Sequence, residues 1–217
     1  MTGLCTKRLI IALTGPMAAG KNAASDILEK EGFLCFDADT LVHTAVENKK
    51  EEIVKTFSKE ADMRHIKLLN DDGSVNRRNL GSIVFSDREL LGKQEGIVHP
   101  EVDRILNEAI DAHPEQSIVI NATVLYKTPV ISRCSFILYI TSPLIVRFFR
   151  VLRRDSMPFM QIFKRFYAQK HIFAKYRSVN ADMYIVRNLG SRNSLKNKIL
   201  KILQDNLCSQ GYSDGTK

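Results

Sequence analysis

The apolar positions of this chain switch between two spacings along its length. "RLIIALTG" (8–15) is a continuous apolar run closed by glycine, the pattern of a strand buried on both faces in a parallel sheet. Ala23, Ala24, Ile27 and Leu28 then recur at helical spacing, and "EKEG" ends that helix with Gly32 as its cap. "FLCFDAD" predicts a second strand ending in Asp37 and Asp39, with a helix, "TLVHTAV", after it. "EEIVKTF" and "NLGSIVF" are helical, "NDDGS" is a turn, and His99-Pro100 opens the helix "PEVDRILNEAI". "QSIVINATVLY" and "CSFILYITSP" predict two more buried strands, and "YIVRNLGS" a short last one. Strands alternating with helices predict an α/β unit built on a parallel sheet.

Between the first strand and its helix lies "GPMAAGKN", Gly15 to Asn22, which nearly satisfies the phosphate-loop pattern G-x-x-x-x-G-K-[ST]. Only the last position departs: Asn22 offers a carboxamide where the pattern has a hydroxyl for the metal ion. The expected ATP cradle is Gly15, Pro16, Met17, Ala18, Ala19, Gly20, Lys21, Asn22 and Ala23. Backbone N–H groups of Ala18 to Lys21 would face phosphate oxygens at a helix N-terminus, and Lys21 would reach the β- and γ-phosphates. Asp37 and Asp39, two apart in extended chain, would project to one side beyond a strand's carboxyl end, where ligands of open α/β sheets bind. Either could instead cap the next helix, and one can cap while the other does chemistry. In "RFFRVLRRD", Arg147, Arg150 and Arg154 fall on one helical face, which suits a visiting anion.

The chain has 217 residues, 44% of them hydrophobic, enough for one domain with elaborations. No run approaches the ~20 apolar residues of a membrane span, and the N-terminal stretch leads into the glycine loop rather than a cleavage site, so a cytoplasmic protein without a membrane partner is expected. Cys5, Cys35, Cys134 and Cys208 show neither metal nor redox spacing and are assigned no chemistry. The net charge of +8 is concentrated late: Ile145 to Lys201 holds fourteen Lys/Arg against two Asp/Glu. Interleaved RNA-stacking motifs are absent and a small polyphosphate suits the charge, so no nucleic-acid partner is expected. The tail "CSQGYSDGTK" reads as disordered. The oligomeric state is not legible.

Taken in order, "LTGPMAAGK", "FDAD", "LNDDGSVNRRNLGSIVFSD", "VHPEV", "RVLRRD" and "NLGS" resemble the dephospho-coenzyme A kinase family across most of the chain, from Ile10 to about Leu203. The third block is the most diagnostic, because phosphate binding alone does not demand it. The resemblance implies a P-loop kinase fold, a parallel β-sheet flanked by helices, with a helical CoA-binding excursion and a helical lid. A single domain is then expected over 1–217: core at about 7–47, 99–144 and 182–207, excursion at about 48–98, lid at about 145–181. The implied reaction moves the γ-phosphoryl of ATP, with Mg²⁺, to the ribose 3′-hydroxyl of dephospho-CoA.

By the same resemblance Lys21, Asp39 and Arg154 are catalytic, Asp39 as general base or orienter supported by Asp37. Arg150, Asn188 and Gly190 join the ATP site, the last two as an adenine-contacting turn. Asp37, Asp39, His99, Leu125, Tyr126, Arg165 and Gln169 would meet the acceptor, and Asn22 the metal, directly or through water. "SMPFMQIFKRFYAQK" resembles the rest of the lid, with Ser156 as cap and Pro158 in the first turn. One segment departs from the family: where a Pro-Leu-Leu-aromatic-Glu run is usual, this chain has Thr123, Val124, Leu125, Tyr126 and Lys127. The alternatives are a nucleotide-binding protein that has lost catalysis, motivated by Asn22 and Lys127, and another small-molecule or nucleotide kinase with the same loop.

Overall fold

The computed structural model describes residues 8–154 and 158–208. Its Cα packing divides the chain into two compact units, one comprising the residues up to Asp37 and from His113 onward, the other Ala38–Ala112. The expected excursion, 48–98, lies inside the second unit, which also takes in the helix before it and all of the helix after it.

The first unit is built on a five-stranded sheet: β1 (Ile10–Thr14), β2 (Leu34–Asp37), β3 (Ile118–Asn121), β4 (Phe136–Thr141) and β5 (Met183–Arg187). The order is β2-β3-β1-β4-β5, and every pairing is parallel. Continuous apolar runs form the central strands because both faces are covered: β1 is buried throughout, as is β3. On one face Ile11 and Leu13 pack with Ala24 and Leu28 of α1 (Lys21–Lys30) and with Leu195 and Ile199 of α9 (Arg192–Cys208). Gly32, left-handed at φ 94°, closes α1 as its spacing predicts, with Gly32 N–H on Glu29 O and Phe33 N–H on Leu28 O. The strand expected over "QSIVINATVLY" is shorter than its apolar run. β3 ends at Asn121, and Leu125–Lys127 and Pro129–Arg133 turn as short 3₁₀ helices. Between β4 and β5 come α6 (Leu144–Arg154), α7 (Phe159–Ala168) and α8 (Ile172–Arg177). Pro158 is the N-cap residue of α7; the expected cap Ser156, the tail after Cys208, and Cys5 lie outside the described residues.

The second unit is helical: α2 (Ala38–Asn48), α3 (Lys50–Met63), α4 (Arg77–Val84) and α5 (Arg88–Asp111). Asn76 caps α4 by accepting Asn79 N–H at 3.0 Å, and Asp87 caps α5 by accepting Glu89 N–H at 2.6 Å. The expectation that His99-Pro100 starts a helix is overturned. α5 runs through both residues, with Pro100 inside it. A proline in mid-helix removes one backbone bond and costs about 3 kcal/mol, which burial of Leu90, Val98, Val102, Leu106 and Ile110 along α5 offsets. His99 is therefore a half-buried residue of a helix interior, not a helix entry. A tied polar cluster also holds this unit: Glu101, 6% exposed, accepts from Asn48 Nδ2 at 2.7 Å and from Arg104 Nη2 at 2.7 Å. Arg104, which also donates its Nε to the other carboxyl oxygen at 3.0 Å, and then Asn48 hold its carboxyl down at about 2.

Candidate active site

The glycine loop leaves β1 at its carboxyl end and enters α1, the context the motif requires. Gly15 sits at φ 148°, and a Cβ there would lie 2.1 Å from Ile140 O, so only glycine lets the loop leave the strand against β4. Gly20 is the N-cap residue of α1, left-handed at φ 106° and ψ 29°. Between them Pro16 O accepts Ala19 N–H at 3.1 Å, closing a turn with Ala18 at φ 59°. The Ala19 amide is thus committed inside the loop, which corrects the expectation that Ala18 to Lys21 all face phosphate. Asn22 is exposed and Ala23 half-buried in the first turn of α1.

Lys21 Nζ donates to Thr123 Oγ1, just past β3. Thr123, the first residue of the segment that departs from the expected run, thus supplies the lysine's hydroxyl partner. Tyr176 in turn donates its hydroxyl to Thr123 O at 3.2 Å. Sequence reading named Thr123 only as a departure and not as a partner of Lys21, because the bond joins residues 102 apart.

The arginine face of α6 points at the loop backbone. Arg147 Nε donates to Met17 O at 2.8 Å, and its guanidinium lies 4.6 Å from the centre of the Phe166 ring. Burial lowers the Arg147 pKa, but a guanidinium stays charged at any physiological pH. Arg150 Nη1 donates to Ala18 O and Ala19 O at 3.2 Å each, and its Nη2 to Asn188 O at 3.4 Å. Arg154, the last residue of α6, is exposed. Asn188, 7% exposed just after β5, donates Nδ2 to Ala19 O at 2.9 Å. Its amide nitrogen therefore braces the loop instead of facing outward to read a base. Gly190 follows it at the surface.

Gln169 closes α7 and accepts Met17 N–H on Oε1 at 2.7 Å, so it too meets the loop. Arg165, one turn earlier, is exposed. Pro16, Tyr139, Arg147, Phe166, Gln169 and Lys170 border a cavity of about 400 Å³ beside the loop.

Among the expected acceptor residues, Asp37 ends β2 in register with Asn121. Asp39 does not continue that strand, because α2 begins at Ala38 and Asp39 lies in its first turn. The two carboxylates are thus not the extended-chain pair that their spacing suggested. Leu125 is 2% exposed and belongs to the core rather than to a substrate surface. Tyr126 is half-buried, its ring edge-on to Tyr176 at 5.2 Å, with Lys175 Nζ 3.2 Å from its hydroxyl. Cys35 and Cys134 carry free thiols that burial pushes up to about 11 and about 12, which leaves them protonated and inert. The second unit has a polar cavity of about 920 Å³ bordered by His43, Glu47, Asn48, Asn76, Arg77 and Arg78.

A family model described as dephospho-CoA kinase matches residues 9–193. The chain belongs to the dephospho-CoA kinase family. A dephospho-CoA kinase of Treponema denticola is 40% identical over 197 residues, covering 89% of this chain and 88% of its own. A crystal structure from Thermus thermophilus superposes with a TM-score of 0.75 at 28% identity, over 91% of this chain and 97% of its own. A dephospho-CoA kinase structure from Campylobacter jejuni, at 22% identity, shares the fold with a TM-score of 0.62 over 92% of this chain and 97% of its own. The P-loop kinase fold and an ATP-dependent phosphotransferase are what membership of this family entails. Among the described residues no helix is long and apolar enough to cross a membrane, and no group of three His, Cys, Asp or Glu side chains could hold a metal.

Proposed function

We propose that the chain phosphorylates dephospho-CoA: the ribose 3′-oxygen attacks the γ-phosphorus of ATP, the bond to the β–γ bridging oxygen breaks, and coenzyme A and ADP leave. The observation that carries this reading is the loop from Gly15 to Lys21, set between β1 and α1 and braced by α6 arginines, in a chain matched to the family over residues 9–193. Phosphoryl transfer depends on positioning and on neutralising charge over the transferring oxygens. Lys21, on the first turn of α1, is assigned to the β- and γ-phosphates, and Arg154 to the transferring group from the end of α6. Arg150 and Asn188 act on ATP through the loop they hold. Asp39 takes the proton of the 3′-hydroxyl, with Asp37 in support. His99, Tyr126 and Arg165 are proposed for the acceptor, and the arginine-bearing cavity of the second unit suits its anionic coenzyme portion. Residues 145–181 serve as the lid that keeps water from the phosphoryl group.

A magnesium ion bound with ATP would offset the charge of the phosphates. The exposed Asn22 carboxamide at the start of α1 fits it as a neutral oxygen donor, directly or through water. Such an ion keeps several waters and needs no protein cage. A reaction on these free metabolites belongs in the cytoplasm. The test is product formation from ATP and dephospho-CoA by the purified chain, with Lys21→Ala as control. ATP binding without product would give the site to a nucleotide-binding protein instead.

A further inference from the structure

Both backbone polar groups of Met17 are held from the lid. Arg147 Nε, on α6, donates to Met17 O at 2.8 Å, and Gln169 Oε1, at the end of α7, accepts Met17 N–H at 2.7 Å. Met17 and Ala18 are the central residues of the turn closed by Ala19 N–H on Pro16 O. Ala18, at φ 59°, occupies the third turn position in the left-handed region. A turn with that position left-handed normally has glycine there, since a Cβ disfavours the conformation. The central peptide of such a turn is flipped relative to the commoner turn, in which the third residue has negative φ. A trans peptide points its N–H opposite to its C=O. With Met17 O directed at Arg147, the Ala18 N–H is therefore directed away from Arg147.

We infer that Gln169 and Arg147 are positioning residues that clamp Met17 from both sides, Arg147 on the carbonyl of the flipped Met17–Ala18 peptide and Gln169 on the N–H of the peptide before it, and so keep the phosphate loop in a shape that alanine at 18 would otherwise relax from. Unusual backbone conformations persist where their surroundings over-determine them. Here side chains from two stretches of the lid fix the peptides on either side of Met17, Arg147 the one after it and Gln169 the one before it, and Arg150 takes the Ala18 carbonyl. This role differs from contact with the acceptor, the part that resemblance assigns to Gln169. It rests on the kinase reading only for the turnover measurements, because ATP affinity reports it without product.

The experiment compares the full chain with Gln169→Ala, Ala18→Gly and the double variant, measuring the ATP dissociation constant by equilibrium dialysis and KM and kcat by turnover. Gln169→Ala is expected to weaken ATP binding about 5-fold or more, the scale of one lost hydrogen bond. KM for dephospho-CoA should stay near wild type. Glycine adopts the flipped turn without help, so Ala18→Gly should bring the double variant back to within about 2-fold of Ala18→Gly alone. Arg147→Ala should be rescued by the same partner. A matching thermal melt shows that each variant is folded. The inference is overturned if Ala18→Gly leaves the Gln169→Ala defect in place, or if that defect falls on dephospho-CoA and spares ATP. Absence of product in every protein, with the ATP pattern intact, would sink the kinase reading and leave this one standing.

Discussion

Replacing Gly20 with alanine tests how the loop is wedged against β5. The new Cβ would lie 2.2 Å from Asn188 Nδ2, at a backbone φ of 106° that L residues rarely adopt. The backbone strain costs about 1–2 kcal/mol. To make room the Asn188 amide must swing away from Ala19 O, giving up its 2.9 Å bond in a site where Asn188 is 7% exposed. A buried polar group stripped of its partner costs about 1–3 kcal/mol, for a total of roughly 2–5 kcal/mol. The two costs can be separated, because only the second depends on the Asn188 side chain. Asn188→Ala in the Gly20→Ala background removes the atom that the Cβ meets and leaves only the strain. Urea unfolding of the four proteins in this cycle should give a favourable coupling of about 1–2 kcal/mol, well above the ~0.5 kcal/mol scatter of independent sites. ATP binding should follow the same pattern, since the loop moves with the amide. Additive substitutions, or a Gly20→Ala protein as stable as wild type, would refute the wedge.

Asp39→Asn should lower kcat by ~10²-fold or more while ATP affinity changes little, the usual scale for a lost general base; steady-state kinetics with near-normal kcat would reduce Asp39 to a residue of the α2 first turn. Asn22→Ser should remain active with an equal or lower magnesium requirement, read by titrating activity against the metal, because a hydroxyl is a shorter neutral oxygen donor than the carboxamide. Glu101 has a depressed folded pKa of about 2 against roughly 4.3 when unfolded. Its contribution to stability is therefore complete above about pH 4.3 and is lost as pH falls toward 2. An NMR titration should follow that carboxyl to about 2, and Asn48→Ala should raise it; a midpoint near the unfolded value would disprove the assigned bonds.

What could be read from sequence was whatever is local and periodic. β1, the loop and α1 follow from an apolar run, a glycine spacing and a helical repeat within 23 residues, and the cap at Gly32 falls where its pattern ends. Pro100 misled because a proline reads as a boundary, whereas the apolar stripe of α5 continues past it on both sides. The Asp37–Asp39 pair misled because the spacing assumed extended chain and the helix begins one residue after the strand. Arg147, Arg150 and Gln169 were recognisable as polar groups on helices. Their partners were not, because those partners are backbone atoms some 130–152 positions away, and a carbonyl leaves no mark in the sequence.

The helical unit Ala38–Ala112 is, in chain order, the connection between β2 and β3, two strands that pair directly as parallel neighbours. Parallel neighbours require a crossover, and its length is not set by the pairing. Evolution can therefore enlarge, trim or replace this cassette without disturbing the register of Leu34 with Ile118 or of Asp37 with Asn121. A foreign crossover that keeps the first turn of α2, and Asp39 with it, could therefore be spliced between β2 and β3 while the phosphate loop and its sheet stay as they are.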